Sequence, residues 1–168
     1  MSAAAGPAKH TPPTKAQRRA LMRAFRHKFP SFRKAVSEDV RVFCMFRGER
    51  TEMRSVADLA WQVARLSWKT DAFFALLCYR LKATLQVHEV PILPSILHRV
   101  AMMTGQVCIG DPVVVEAGIY LPHGSVVIDG IVEIGHAVEI RPWVTIGLKE
   151  GVVNGAKIHA RAHIGTGA

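Results

Sequence analysis

Cysteine is scarce in this chain. Cys44, Cys78 and Cys108 are the full complement of 168 residues, and they show neither the even pairing of a disulfide framework nor the spacing of a thiolate metal site. A reduced compartment is expected, with the cytoplasm as default. Long apolar runs are missing too. No uniformly apolar stretch approaches the roughly 18–20 residues of a membrane span, so no membrane partner is expected. No two histidines stand at metal-ligand spacing, and no resident metal is expected.

Acid is absent from the front of the chain. Residues 1–37 hold nine Lys or Arg and no Asp or Glu, whereas residues 107–168 hold four basic residues against six acidic ones. The net charge of +9 therefore belongs to the front. Residues 1–30 are rich in Ala, Pro and basic side chains with little apolar periodicity, and they read as a mobile basic arm. An Arg-rich, acid-free leader also matches an organellar transit peptide, but Ser is scarce. No aromatic platform or reader motif accompanies the charge, so nucleic acid is not expected as a partner.

What is present is a period of six. The triplets Val107-Cys108-Ile109, Val113-Val114-Val115, Ile119-Tyr120-Leu121, Val126-Val127-Ile128, Val132-Glu133-Ile134, Val138-Glu139-Ile140 and Val144-Thr145-Ile146 succeed one another as apolar-x-apolar, with a single step of seven. After an interruption the phase returns at Ala156-Lys157-Ile158 and Ala162-His163-Ile164. Strand side chains alternate faces, so the outer two residues of each triplet point inward and the middle one outward. Turn formers such as Gly110-Asp111-Pro112 and Pro122-His123-Gly124-Ser125 lie between triplets. Strands this short make no useful hairpin, but coiled with about eighteen residues per turn they stack each on the one a coil later. A parallel β-helix of hexapeptides is expected, in preference to a sandwich, whose strands recur at about 8–12 residues.

Residues 31–105 change to a helical period. Val56, Leu59, Ala60, Val63 and Leu66 are helically spaced, Asp71 can cap a second helix with apolar positions Phe74, Leu77, Cys78 and Leu81, and Ser95 can cap a last one that Gly105 stops. Trp61, Trp68, Phe73 and Tyr79 read as core packing rather than a ligand box. The segment is expected to cap the first coil, whose open end exposes backbone and apolar side chains. At the other end the chain stops in mid-repeat at Ala168. Either another subunit protects that edge or a longer protein continues it, and residues 106–168 are read as a domain incomplete at its C-terminal end.

Function is sought where the repeat is broken. The step of seven bulges one residue out of its turn and pushes His123 toward solvent, with Gly124 supplying the unusual dihedral angles; an exposed, positioned imidazole suits a general base. The break 147–155 can fold over a neighbouring turn and wall a cleft. Trp143 is read as packing or a subunit contact, and His136, His159 and His163 as surface residues.

A helical segment ending in Pro91-Ile92-Leu93-Pro94, then the hexapeptides, then Tyr120-Leu121-Pro122-His123-Gly124, Val126-Val127-Ile128, Val138-Glu139-Ile140 and Val144-Thr145-Ile146-Gly147 with a loop behind it, resembles serine O-acetyltransferases, members of the left-handed β-helix acyltransferases. The likeness covers roughly residues 35–168. It implies an α+β chain with an N-terminal helical cap and a left-handed parallel β-helix, a homotrimer or dimer of trimers, and acetyl-CoA as co-substrate with no permanently bound cofactor. It implies His123 as the base that deprotonates a serine hydroxyl, giving O-acetylserine for cysteine biosynthesis. Gly147, Gly165, Thr166, Gly167 and Ala168 match positions beside acetyl-CoA. Other positions depart from the family: the acidic partner of the histidine falls on Cys108, the carboxylate before it on Pro122, and the Arg-His pair that helps hold serine near Asn154 and Gly155. Asp111 or Glu116 is the substitute acid that proximity in the repeat offers, and the substrate-binding residues are left unassigned. Two further readings stay open, O-acetylation of a sugar or polysaccharide hydroxyl and a catalytically silent assembly or regulatory subunit.

Overall fold

Five α-helices precede eight short strands among residues 15–147 and 155–168, which the computed structural model describes. The helices are α1 (Lys15–Phe25), α2 (Phe32–Phe46), α3 (Val56–Lys69), α4 (Phe73–Val87) and α5 (Leu93–Gly105), with a 3-10 turn at Arg26–Lys28. The strands are β1 (Val107–Ile109), β2 (Val113–Val115), β3 (Val126–Ile128), β4 (Val132–Ile134), β5 (Glu139–Ile140), β6 (Thr145–Ile146), β7 (Ala156–Ile158) and β8 (His163–Ile164). The chain is thus α+β, and all of its strand pairs are parallel.

The strands form three small sheets, β1-β3-β6, β2-β4-β7 and β5-β8, with Tyr120 joining the third through a bridge to Glu139. The chain visits the sheets in rotation. Val127 pairs with Thr145, a spacing of eighteen. Val107 pairs with Val126, Val113 with Val132 and Tyr120 with Glu139, each a spacing of nineteen. Only these longer pairings span residues 122–125, which puts the extra residue in the His123 turn. Val132 pairs with Ala156 and Glu139 with His163, a spacing of 24, so the later interruption adds the length of one hexapeptide.

The inward positions of the first six triplets, Val107 through Ile140, are each at most 2% exposed. Burying each such Val, Ile or Leu contributes roughly 1.5–3 kcal/mol. Two of the outward-facing middle residues are covered rather than exposed. Val114 and Glu139 are buried: Val114 lies in a cavity wall with Lys28 and Glu133, which are bonded to each other, and Glu139 lies beneath Arg141 Nε at 3.0 Å and His163 Nδ1 at 2.6 Å.

The helical part corrects several expectations. Residues 15–25, assigned to a mobile arm, form α1, and Arg23 bonds Glu89 at 2.9 Å; residues 1–14 lie outside the described set. Trp61 and Trp68 are 65% and 90% exposed on α3, while Phe73 and Tyr79 are buried as expected. The two Trp are seven residues apart and so share a face, and it is the opposite face, with Leu59, Val63 and Leu66, that packs inward. Phe74 and Leu81 are exposed, whereas Phe73, Leu76, Tyr79, Arg80 and Lys82 are buried. Helix α4 touches α2, α3, α5 and β1, so it has no single apolar stripe to read. Helix α5 starts at Leu93 with Pro94 in its first turn, which leaves Ser95 inside the helix rather than at its cap.

Buried polar side chains of α2 and α4 close the first coil. Tyr79 Oη donates to Val113 O at 2.9 Å, Lys82 Nζ to Ile109 O at 2.6 Å, and Arg80 to the carbonyls of Val115 and Glu116 at 2.7 Å each. Asp39 accepts from Arg80 Nε and Nη2 at 2.8 Å and from the Gly118 and Ile119 amides at 3.0 and 3.2 Å. The first coil has no preceding strand, and unpaired buried backbone groups are costly; these side chains take the place of that strand. Burial opposes the charge on Arg80, Asp39 outweighs it, and the guanidinium pKa stands above its ordinary value.

At the α2–α3 junction, Arg65 bonded to Glu49 holds that carboxyl at about 2, below its ordinary 4.5. A depressed carboxylate stabilises the fold above its unfolded pKa and loses that contribution as pH falls toward the folded one. Glu49→Gln is expected to flatten the decline of Tm between about pH 5 and pH 2, measured by thermal unfolding across that range; a decline as steep as that of the unaltered protein refutes the assignment.

Candidate functional site

His123 occupies the turn with the extra residue, between Leu121 and β3. Its side chain is 62% exposed, and Nδ1 lies 2.8 Å from Oδ2 of Asp71, 71% exposed, two positions before α4. With the ring neutral, the Nδ1 proton is the one donated to the carboxylate, which leaves Nε2 as the acceptor. Asp71, expected to cap α4, makes no cap: Ala72 holds that position with no side-chain bond.

Two glycines allow the helix and the turn to meet. A Cβ at Gly124 would stand 1.7 Å from the Gly105 carbonyl oxygen, and one at Gly105 would stand 2.7 Å from Ala75 Cβ and 3.1 Å from the Asp71 carbonyl. Gly124 therefore serves close approach, while the positive φ expected there falls on Ser125, at 59°. Ser125 Oγ donates to Gln106 Oε1 at 2.7 Å, and Val126 N–H to Gln106 O at 3.2 Å, tying the turn to the end of α5. Gly124→Ala is expected to cost about 1–3 kcal/mol in urea unfolding, because the backbone must move to admit a methyl group; an unchanged midpoint refutes this packing.

A cavity of about 380 Å³ opens at the pair. Its lining side chains are Asp71, Thr104, Gln106, His123, Ser125, Pro142 and Trp143. Trp143 is 68% exposed, has φ of +65°, and donates its N–H to Ser125 O at 2.8 Å. Thr104 and Gln106 join the site without a sequence signal that singled them out for it; Trp143 had one, a break in the turn pattern read as packing or a subunit contact, and Asp71 had one, read as a cap.

The residues matched to acetyl-CoA positions divide. Gly167 N–H donates to Pro142 O at 3.3 Å and Thr145 N–H to Ala168 O at 3.1 Å, so the turn Gly165-Thr166-Gly167-Ala168 lies along the segment that carries Trp143. Gly147 is exposed just after β6 and is not among the lining residues. The loop expected to wall the cleft falls on residues 148–154, Asn154 included, outside the described set. Gly155 packs on the Ile131 carbonyl.

None of the acids weighed in the repeat reaches His123. Asp111 bonds Lys82 Nζ at 2.9 Å and Gln86 Nε2 at 2.7 Å, and Glu116 accepts from the His136 amide at 3.0 Å. Cys108 Sγ lies 4.0 Å from His98 Nε2. Burial pushes the Cys108 thiol up and the His98 imidazole down, so both neutral forms are favoured and no thiolate is activated. The carboxylate of the pair comes instead from the helical part. Among the described residues, no group of three or more His, Cys, Asp or Glu is placed to hold a metal ion, and no helix is long and apolar enough to cross a membrane. Comparison with protein-family models and with curated proteins finds no match.

Proposed function

We propose that the chain is an acetyl-CoA-dependent O-acetyltransferase of the left-handed β-helix class, with His123 as general base. The observation that carries this reading is the exposed His123, bonded through Nδ1 to Asp71 and set at the mouth of a cavity. Registers of eighteen and nineteen across three parallel sheets support the hexapeptide coil on which the resemblance rests.

The chemistry asks little beyond positioning and a base, because a thioester is already activated. Nε2 takes the proton of the acceptor hydroxyl as its oxygen bonds to the thioester carbonyl carbon. Asp71 orients the ring and stabilises the imidazolium that forms. When the tetrahedral intermediate collapses, the C–S bond breaks and the thiolate of CoA takes up the proton, leaving the acetyl ester. The turn Gly165–Ala168 is small and exposed, which suits the close passage of a pantetheine arm, and Gly147 stands at the start of the loop expected beside it. The family likeness adds a trimer with acetyl-CoA between neighbouring subunits, a cytoplasmic setting, and L-serine as acceptor.

Thiol release from acetyl-CoA, followed with L-serine, with sugars and with no acceptor, tests the reading. Acceptor-dependent release is the expected result. Silence on every acceptor overturns it in favour of an assembly or regulatory subunit.

A further inference from the structure

We infer that Gln106 is the oxyanion donor of the site: its side-chain amide N–H holds the negative oxygen that forms as the acceptor hydroxyl adds to the thioester. This inference rests on the reading of His123 as the base.

When the hydroxyl oxygen bonds to the thioester carbonyl carbon, the C=O electron pair moves onto the carbonyl oxygen and the hydroxyl proton passes to Nε2 of His123. The site then holds the new oxyanion, the Asp71 carboxylate and the His123 imidazolium, so negative charge is in excess. Among the described residues lining the cavity there is no Lys or Arg to meet it. Neutral N–H or O–H donors must do so. Most of those in the lining are spent. Thr104 Oγ1 donates to Val100 O at 2.8 Å, Ser125 Oγ to Gln106 Oε1 at 2.7 Å, and Nδ1 of His123 to Asp71 at 2.8 Å. Among the described side chains that line the cavity, the donors left are Nε2 of Gln106 and Nε1 of Trp143.

Preorganisation chooses between the two. A donor stabilises developing charge best when it is already held in place, since nothing then has to reorganise as the charge forms. Gln106 is held at three points. Its N–H donates to Met102 O at 3.1 Å, its carbonyl accepts from Val126 N–H at 3.2 Å, and its Oε1 accepts from Ser125 Oγ, which leaves the amide N–H pair as the uncommitted end. Ser125 and Val126 follow His123 directly along the chain, so base and donor share one scaffold. The Trp143 indole is 68% exposed, and its bond to Ser125 O is made by the main-chain amide rather than by the ring.

The test compares Gln106→Glu, Gln106→Met, Ser125→Ala and Trp143→Phe with the unaltered protein, by thiol release from acetyl-CoA with whichever of L-serine and methyl glucoside turns over faster. Gln106→Glu keeps an oxygen for Ser125 Oγ and removes the N–H donors. It is expected to lower kcat by about 10²-fold while KM for acetyl-CoA stays within about threefold; Gln106 is exposed, which sets the loss at the low end for an oxyanion donor. Gln106→Met should match it. Ser125→Ala removes only a tether and should cost less than about tenfold. Gln106 losses no larger than that of Ser125→Ala make Gln106 an anchor of the turn and overturn the inference, as does loss of the fold by circular dichroism in both Gln106 variants. A loss carried by KM alone overturns it too, and a larger loss in Trp143→Phe than in Gln106→Glu moves the oxyanion to the indole. The base is judged separately by His123→Ala. Turnover that survives that variant removes the base assignment while a Gln106 loss still stands, and a silent His123→Ala beside an unimpaired Gln106→Glu leaves the base without this donor. No turnover by the unaltered protein with either acceptor overturns both.

Discussion

His123→Ala is expected to lower acceptor-dependent thiol release by about 10²–10⁴-fold, the range a positioned general base contributes. Without the imidazole, the hydroxyl proton passes to water while the thioester and the rest of the cavity stay in place, so KM for acetyl-CoA should move little. Asp71→Asn keeps the side chain's shape and removes its charge. It acts through His123 rather than on the acceptor, so kcat should fall with KM nearly constant. The pair is open to solvent, with both side chains more than half exposed, and water screens much of their attraction; the loss should be about tenfold, well below that of removing the base. Steady-state kinetics on the two variants, with circular dichroism to show that each is folded, is the check. Equal losses would contradict a base oriented by a carboxylate, and turnover unchanged in His123→Ala would remove the base itself.

Arg80→Met should have the largest effect on stability. It leaves Asp39 charged and buried, and it strips the donors from the Val115 and Glu116 carbonyls. Breaking a buried pair by removing one partner costs about 3–5 kcal/mol, a large share of the stability of a domain this size. The double variant Asp39→Leu with Arg80→Met separates two accounts. If the pair served only itself, two apolar side chains should restore stability, since such replacements are often neutral or better. If it caps the first coil, the double variant must stay below the unaltered protein, because the carbonyls of Val115 and Glu116 and the amides of Gly118 and Ile119 remain without partners. Urea unfolding distinguishes them, and full recovery in the double variant would refute the capping role.

How much was legible in advance depended on whether the signal lay along the chain. The hexapeptide phase is one-dimensional, and every inward position from Val107 to Ile140 lies in the core. The step of seven was legible in the same way, and His123 is exposed at the place it marks. Asp71 was not, because it meets His123 across 52 positions of chain and no local spacing connects a pre-helix acid to a turn histidine. Helix faces failed for a related reason. Trp61 and Trp68 share a stripe as periodicity requires, but which stripe turns inward depends on the neighbours. Arg80 and Lys82 carried no signal in the sequence for the place they take: both are buried, bonded to carbonyls of a coil with no preceding strand.

The sequence by itself therefore determined the repeat, the strands, their inward residues and the turn that presents His123, because alternation and turn chemistry act between adjacent residues. The tertiary structure decided that Asp71 faces this histidine, that Cys108 faces His98 instead, that Asp39, Arg80 and Lys82 close the first coil, and that Trp143 stands open beside the base. The first of these goes with the close approach of Gly105 to Gly124 and to Asp71, which brings the start of α4 and the end of α5 against the turn. Contact between segments far apart in the chain is a property of the packed core, and periodicity carries no record of it.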